Sequence, residues 1–258
     1  SLVSGQLVRV ASRRGEVTVP LLADDRVGVA QADLAMHWGS EFLGGRDAQG
    51  AARGGVNALT TGAFCGDSKQ PELKHAAVSV KPALLPWRVV AARWFDDDDA
   101  AGMQALRERL QTAMPTFNHA MCVPVAAPSN QRGRVGLRFE AASAQPVSPE
   151  QLAMLIDALS PAAATRRPAS APARYDDVRR HRTRRLWIDG EGEHAVLRAL
   201  LVVGPEGEGA WLFEVWRGAE PVALFGRALL SPAAAAPTHL APVNPQVCNC
   251  FDISRSRI

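Results

Sequence analysis

No run of eighteen apolar residues occurs in the sequence, which argues against a conventional membrane-spanning helix. The opening SLVSGQLVRVASRRGEV also lacks the charged-then-apolar layout of a secretory leader, so the chain reads as soluble and cytoplasmic. Cysteine is scarce: Cys65 and Cys122 stand alone, while Cys248 and Cys250 form a CNC pair. Four cysteines so unevenly placed do not make a disulfide scaffold, and a reducing compartment fits them best. A dominant charge is missing too. Lysine and arginine number 29 against 26 acids, and a net +3 gives no reason to expect nucleic acid or a membrane surface as partner. Neither a CxxC pair, an HExxH pair nor a Ser-His-Asp set is visible, and His37, His75, His119, His181, His194 and His239 are scattered. A self-contained catalytic centre is therefore not expected.

What is present is a chain able to bury a core, with 47% hydrophobic residues in a length of 258 that suits one large or two smaller domains. GQLVRVASRRGEVTVPLL alternates around SRRG, with Val8 and Val10 before the turn and Val17, Val19 and Leu21 after it, predicting a β-hairpin. AAVSV at 76–80 predicts another strand, and a first unit closes near residue 88. The section 89–160 reads as a helical or α+β connecting region. Asp96 to Asp99 precede a run in which Met103, Leu106 and Leu110 keep helical spacing until Pro115, so the four acids predict a helix entrance in preference to a metal site. RVGLRFE alternates as a strand, and SPEQLAMLIDALSP carries a capping box with Ser148 at the N-cap and Gln151 at N3.

Residues 161–173, rich in proline and alanine, predict a linker. In the region 174–240, RRLWID and HAVLRALLVV flank GEGE as a second hairpin, and the chain ends with 241–258, which contains VCNCF. GEGEH and GPEGEG lack the spaced glycines and Lys-Ser/Thr of a phosphate loop and read as turns. RRHRTRR at 179–185 has no interleaved aromatics for base stacking, so it reads as a solvated strand edge or a partner-docking face. The CNC thiolates point the same way in an extended loop and can hold one metal or one cluster edge, which is half a site; two free thiols is the plain alternative.

Between these elements lies VNALTTGAFCGDSKQPELK at 56–74, polar and without helical or strand period. Together with GQLVRVASRRGEVTVP, then MHW at 36–38, and SKQPELKHAAVSV, it resembles the C-terminal domain of molybdopterin-dependent oxidoreductases, most closely assimilatory nitrate reductases. The resemblance covers about residues 1–88. It implies a mainly β fold with α+β additions: a six-stranded double-psi β-barrel, closing over bis-(molybdopterin guanine dinucleotide), followed by a small α+β connecting region. Asn57 holds the place of the Asn in the N-x-L-T motif that contacts the pterin, where its amide can both donate and accept. Lys74 holds the place of the P-E-x-K lysine, a cation for pterin oxygens or phosphate. His37 or Trp38 falls at the position that lies against the pterin. A turn cap for Asn57, a solvated Lys74 and a core Trp38 are the plain alternatives.

VCNCF is similar to the start of the [2Fe-2S] domain related to bacterioferritin-associated ferredoxin, with Cys248 and Cys250 as the first ligand pair and the second pair absent. The intact enzyme implied by the resemblance reduces nitrate to nitrite in nitrate assimilation, with electrons from a reductase, ferredoxin or flavodoxin. Its molybdenum-ligating cysteine, its [4Fe-4S] cluster and its N-terminal catalytic domains have no counterpart here, so this sequence resembles a C-terminal fragment or truncated frame. The family's frequent D-P before S-K is C-G-D-S-K here, leaving the loop without a stiffening proline. A formate dehydrogenase-like enzyme, an inactive fragment and a binding module are the competing expectations.

Overall fold

A computed structural model of the chain describes residues 2–47, 49–52, 54–70, 75–128, 133–160, 171–232, 234, 235 and 237, with the backbone of 246–248 and 253–254. It is mainly β-sheet with three α-helices among the described residues. β1 (Leu7–Ala11) and β2 (Glu16–Pro20) form the expected hairpin, Val10 opposite Val17 and Val8 opposite Val19. β3 is Leu43–Gly44, and β4 (Ser79–Pro82) adds antiparallel to β1. The strand expected at 76–80 is thus displaced towards Pro82. The small sheet β2-β1-β4 is open: among the described residues these strands do not close the six-stranded barrel that the resemblance implies.

The second sheet holds most of the core. β5 (Trp87–Asp96), β6 (His119–Ala126), β7 (Arg134–Ser143), β8 (Ala173–Asp177), β9 (Arg182–Asp189) and β10 (Val196–Pro205) join β3 in the order β3-β6-β7-β5-β10-β9-β8. Strands β5 and β6 are both antiparallel to β7, which lies between them, so β5, helix α1 (Ala100–Ala113) and β6 make a split β-α-β unit. Helix α2 (Pro149–Leu159) follows β7, and β10 takes the fourth position beside β5. The β8–β9 hairpin, which precedes β10, widens the sheet at that edge. The section 89–160, expected to be a helical or α+β region with one strand at RVGLRFE, carries three strands besides its two helices. One sheet contains strands from both sides of 161–173, of which 161–170 lie outside the described residues.

Helix starts follow the local chemistry. The Asp99 carboxylate accepts from the Gly102 N–H at 3.1 Å, capping α1 at the end of the four-aspartate run. Ser148 and Gln151 form both halves of the capping box on α2. On one face of the sheet, Leu106, Leu110 and Ala113 of α1 and Leu155, Ala158 and Leu159 of α2 bury Val89, Ala91, Phe95, Leu137 and Phe139. On the other, helix α3 (Ala210–Gly218) covers Ala92, Trp94, Leu200 and Val202 with Trp211, Leu212, Phe213, Val215 and Trp216.

Strand β9 is not an edge, because β8 covers it, and this overturns the reading of RRHRTRR as a solvated strand edge. Arg184 is fully buried and donates from Nη1 to the carbonyls of Leu229 and Ser231 at 3.0 and 2.9 Å. Arg182 pairs with Glu208 at 3.0 Å, and Arg185 with Asp176 at 2.9 Å. Arg182, Arg184 and Arg185 are spent on pairing within the fold, while Arg179, Arg180 and His181 stay exposed.

Trp94 and Trp216 stack with centroids 4.1 Å apart, joining β5 to α3. Gly136 of β7 lies beneath them: a Cβ there would stand 2.7 Å from the Trp216 ring and 2.8 Å from the Trp94 ring. Both contacts are with rigid rings and leave no flexible atom to move aside. Gly136→Ala is expected to lower the unfolding free energy by about 1–3 kcal/mol, measured as a fall in the denaturant midpoint; an unchanged midpoint would mean that the stack is not close-packed.

Candidate cofactor-binding site

Two of the motifs singled out in the sequence meet in space. The Val56 N–H donates to the Trp38 carbonyl at 2.9 Å, placing the MHW segment directly against the start of VNALT. Gly55 makes this approach possible, since a Cβ on it would lie 2.3 Å from the Trp38 oxygen and 2.7 Å from the Gly39 Cα. Residues 56–59 form one 3₁₀ turn, closed where the Asn57 carbonyl accepts from the Thr60 N–H at 3.2 Å and from its hydroxyl at 3.3 Å. Val56 then packs with Leu43, Met121 and Val123, and with the half-buried Val19, Trp38 and Phe42, on the outer face of β6.

The two candidates at 37 and 38 differ in exposure. Trp38 is half-buried, its ring edge-on to Phe42 with centroids 6.5 Å apart. His37 is exposed, with a left-handed backbone at φ 79° that histidine adopts more readily than most residues. Asn57 is exposed, one residue from the Trp38–Val56 hydrogen bond, as His37 is on the other strand of the junction. Lys74 lies outside the described residues.

The loop beyond the turn is held locally. Cys65 donates its N–H to the Gln70 carbonyl at 2.9 Å and accepts from the Lys69 N–H at 3.0 Å, while the Lys69 ammonium donates to the Gly66 carbonyl at 2.6 Å. The Ser68 hydroxyl, with the Ser68 and Asp67 main-chain N–H groups, stabilises the Cys65 thiolate and brings its pKa down to about 7. Cys122, buried on β6 under the helices, is pushed up to about 12 by desolvation. Among the described residues no three His, Cys, Asp or Glu side chains gather as a metal site. Cys248 ends the short strand β11 (Gln246–Cys248), which pairs with β12 (Ile253–Ser254), and Cys250 lies outside the described residues.

The donor set is suited to a large polar heterocycle: exposed amide, imidazole and hydroxyl groups on an irregular loop, backed by an apolar cluster. Comparison with known families agrees. Residues 1–77 match the family model described as a Molydopterin dinucleotide binding domain. The match indicates the cofactor-binding part of a molybdenum oxidoreductase and lies within the span of about 1–88 that the sequence motifs suggest. No curated protein matches the chain, and no solved structure does. No helix among the described residues is long and apolar enough to cross a membrane.

Gly55 and Phe42 are the site residues that motif reasoning missed. Gly55 had a faint signal in the Gly54-Gly55 pair before VNALT; Phe42 had none. Gly55→Ala is expected to cost about 1–3 kcal/mol and to speed hydrogen exchange in peptides covering 36–43 and 55–60; protection at the wild-type level would show that the junction tolerates a Cβ. Alkylation of Cys65 is expected to rise through pH 7, as the thiolate forms, with the midpoint moving upward in Ser68→Ala. Cys122 stays unlabelled until the protein unfolds, and peptide mass spectrometry across a pH series reads both.

Proposed function

We propose that this chain forms the pterin-facing lid of a molybdenum oxidoreductase that reduces nitrate to nitrite in nitrate assimilation. The observation that carries the proposal is the junction of MHW with GVNALT through the Trp38–Val56 hydrogen bond, with His37 and Asn57 each exposed one residue away from that bond. In this role the Asn57 amide donates to and accepts from the pterin edge, and the His37 imidazole lies against it, whereas Trp38 supports the turn from behind. Lys74 supplies a cation to the same ligand. Bound molybdenum provides two-electron oxygen-atom transfer; the residues of this chain bind and orient the cofactor that carries it.

The choice of nitrate over formate as substrate class comes from the CNC pair, with Cys248 and Cys250 as one edge of a [2Fe-2S] site that takes electrons from a cytoplasmic reductase, ferredoxin or flavodoxin. The remaining ligands, the [4Fe-4S] centre and the other cofactor-binding domains belong to the rest of the proposed enzyme.

The test is retention of Mo-bis(molybdopterin guanine dinucleotide) by the purified chain, measured as bound molybdenum and as GMP released on hydrolysis. Asn57→Ala and His37→Ala are each expected to lower retention about tenfold. Because Asn57 is exposed, Asn57→Ala should move the apoprotein's stability by no more than about 0.5 kcal/mol. Retention unchanged in both variants would falsify the cofactor-facing assignment. In the enzyme assembled with its catalytic domains, reduced viologen should drive nitrate reduction; turnover of formate in place of nitrate would transfer the substrate class to the formate dehydrogenase-like alternative.

A further inference from the structure

The turn at 37–38 is gripped from outside the matched domain. Beyond Trp38 the chain runs through Gly39, whose carbonyl accepts from the N–H groups of Phe42 and Leu43 at 3.0 and 2.9 Å, and then enters β3. The Phe42 ring meets Trp38 edge-on, and the Arg107 guanidinium lies over the Phe42 ring with its carbon 5.0 Å from the centroid. Arg107 belongs to α1. One turn further along the same helix, Gln111 donates its Nε2–H to the Glu41 carbonyl at 2.7 Å. From the sheet side, the Cys122 N–H of β6 donates to the Phe42 carbonyl at 2.9 Å.

These contacts form an unbroken line from α1 through Phe42 and Trp38 to Val56 and the Asn57 turn. The Arg107 Nε is buried and has no hydrogen-bond partner among the described residues, and the guanidinium lies over the aromatic face. A planar guanidinium suits that face, and a lysine ammonium, compact and strongly hydrated, does not reproduce it. The helix lies beyond residue 77, where the family match ends.

We infer that Arg107 and Gln111 are positioning residues for the cofactor loop: α1 holds residues 39–42, Phe42 holds Trp38, and Trp38 fixes the turn that presents His37 and Asn57. This role rests on the cofactor-facing assignment of His37 and Asn57. Through it the split β-α-β unit controls how well the lid is ordered before any ligand arrives, which lowers the ordering cost of binding.

The test uses the full chain with Arg107→Ala, Arg107→Lys and Gln111→Ala, and reads hydrogen exchange without cofactor as well as retention of Mo-bis(molybdopterin guanine dinucleotide). In Arg107→Ala, exchange is expected to quicken about fivefold in peptides covering 36–43 and 55–60 and to stay unchanged in β9, β10 and α3. Arg107→Lys should fall between Ala and wild type, and retention should drop in the same order as loop protection. Unchanged exchange in the loop peptides overturns the positioning role whatever retention does. Faster loop exchange with full retention also overturns it, provided Asn57→Ala has lowered retention; if Asn57→Ala and His37→Ala retain the cofactor fully, the cofactor-facing assignment itself has failed. Should Arg107→Ala quicken exchange throughout the molecule, Gln111→Ala, which removes only the hydrogen bond to the neighbouring Glu41 carbonyl, decides by the same criterion.

Discussion

Strand β5 is hydrogen-bonded along both edges, to β7 and β10, and is apolar on both faces, and the remaining elements depend on that combination. Its side chains divide by parity: Val89, Ala91 and Phe95 go to the face covered by α1 and α2, and Ala92 and Trp94 to the face covered by α3. A one-residue slip would exchange the two sets and drive Trp94 into the helix pair, so register is strongly specified. Beside it, β10 shifts register between Leu197 and Ala199, and this irregularity returns Leu197 to the same face as Leu200 and Val202. At the same place Arg198 reaches Asp96 with two hydrogen bonds, and its carbonyl accepts from the Trp216 indole at 3.3 Å. The Arg198 guanidinium, followed by that of Arg134, holds the Asp96 carboxyl below the usual carboxylate range.

Elements governed by local chemistry were legible in the sequence, and elements governed by their neighbours were not. The β1–β2 hairpin shows alternation, α1 and α2 show caps and one apolar stripe, and β7 shows Val135, Leu137 and Phe139 on a single face. By contrast WRVVAARWF has no period of two because both of its faces are covered, and WLFEVW is apolar nearly all round because α3 is buried nearly all round. Two-residue β3 carries no signal of its own, although it ties the N-terminal segment into the large sheet. In RRHRTRR, charge counting hid the inward Arg184, whose guanidinium is accepted by carbonyls from a distant turn.

The candidate site divides in the same way. MHW and VNALT were each recognisable as side-chain patterns, and the choice between His37 and Trp38 stayed open. Their junction was not visible, because it consists of one main-chain hydrogen bond and the absence of a side chain at Gly55. A motif records the groups that meet a ligand, whereas the groups that aim them are backbone atoms and aromatic packing drawn from other parts of the chain.

That division bears on why the loop after residue 56 has no packing period. An amphipathic helix or strand would bury half its side chains and bond its own backbone, leaving few polar atoms for a ligand. Here one turn is anchored by Val56 in the cluster with Leu43, Met121 and Val123, and the left-handed backbone of His37, a conformation that costs of order 1 kcal/mol, is held by that anchorage. The apolar cluster supplies rigidity that the loop lacks. Polar groups at 57 and 37 are then exposed without the surrounding chain having to fold around a ligand first, an arrangement that suits the large, polar, hydrogen-bonding cofactor proposed for it.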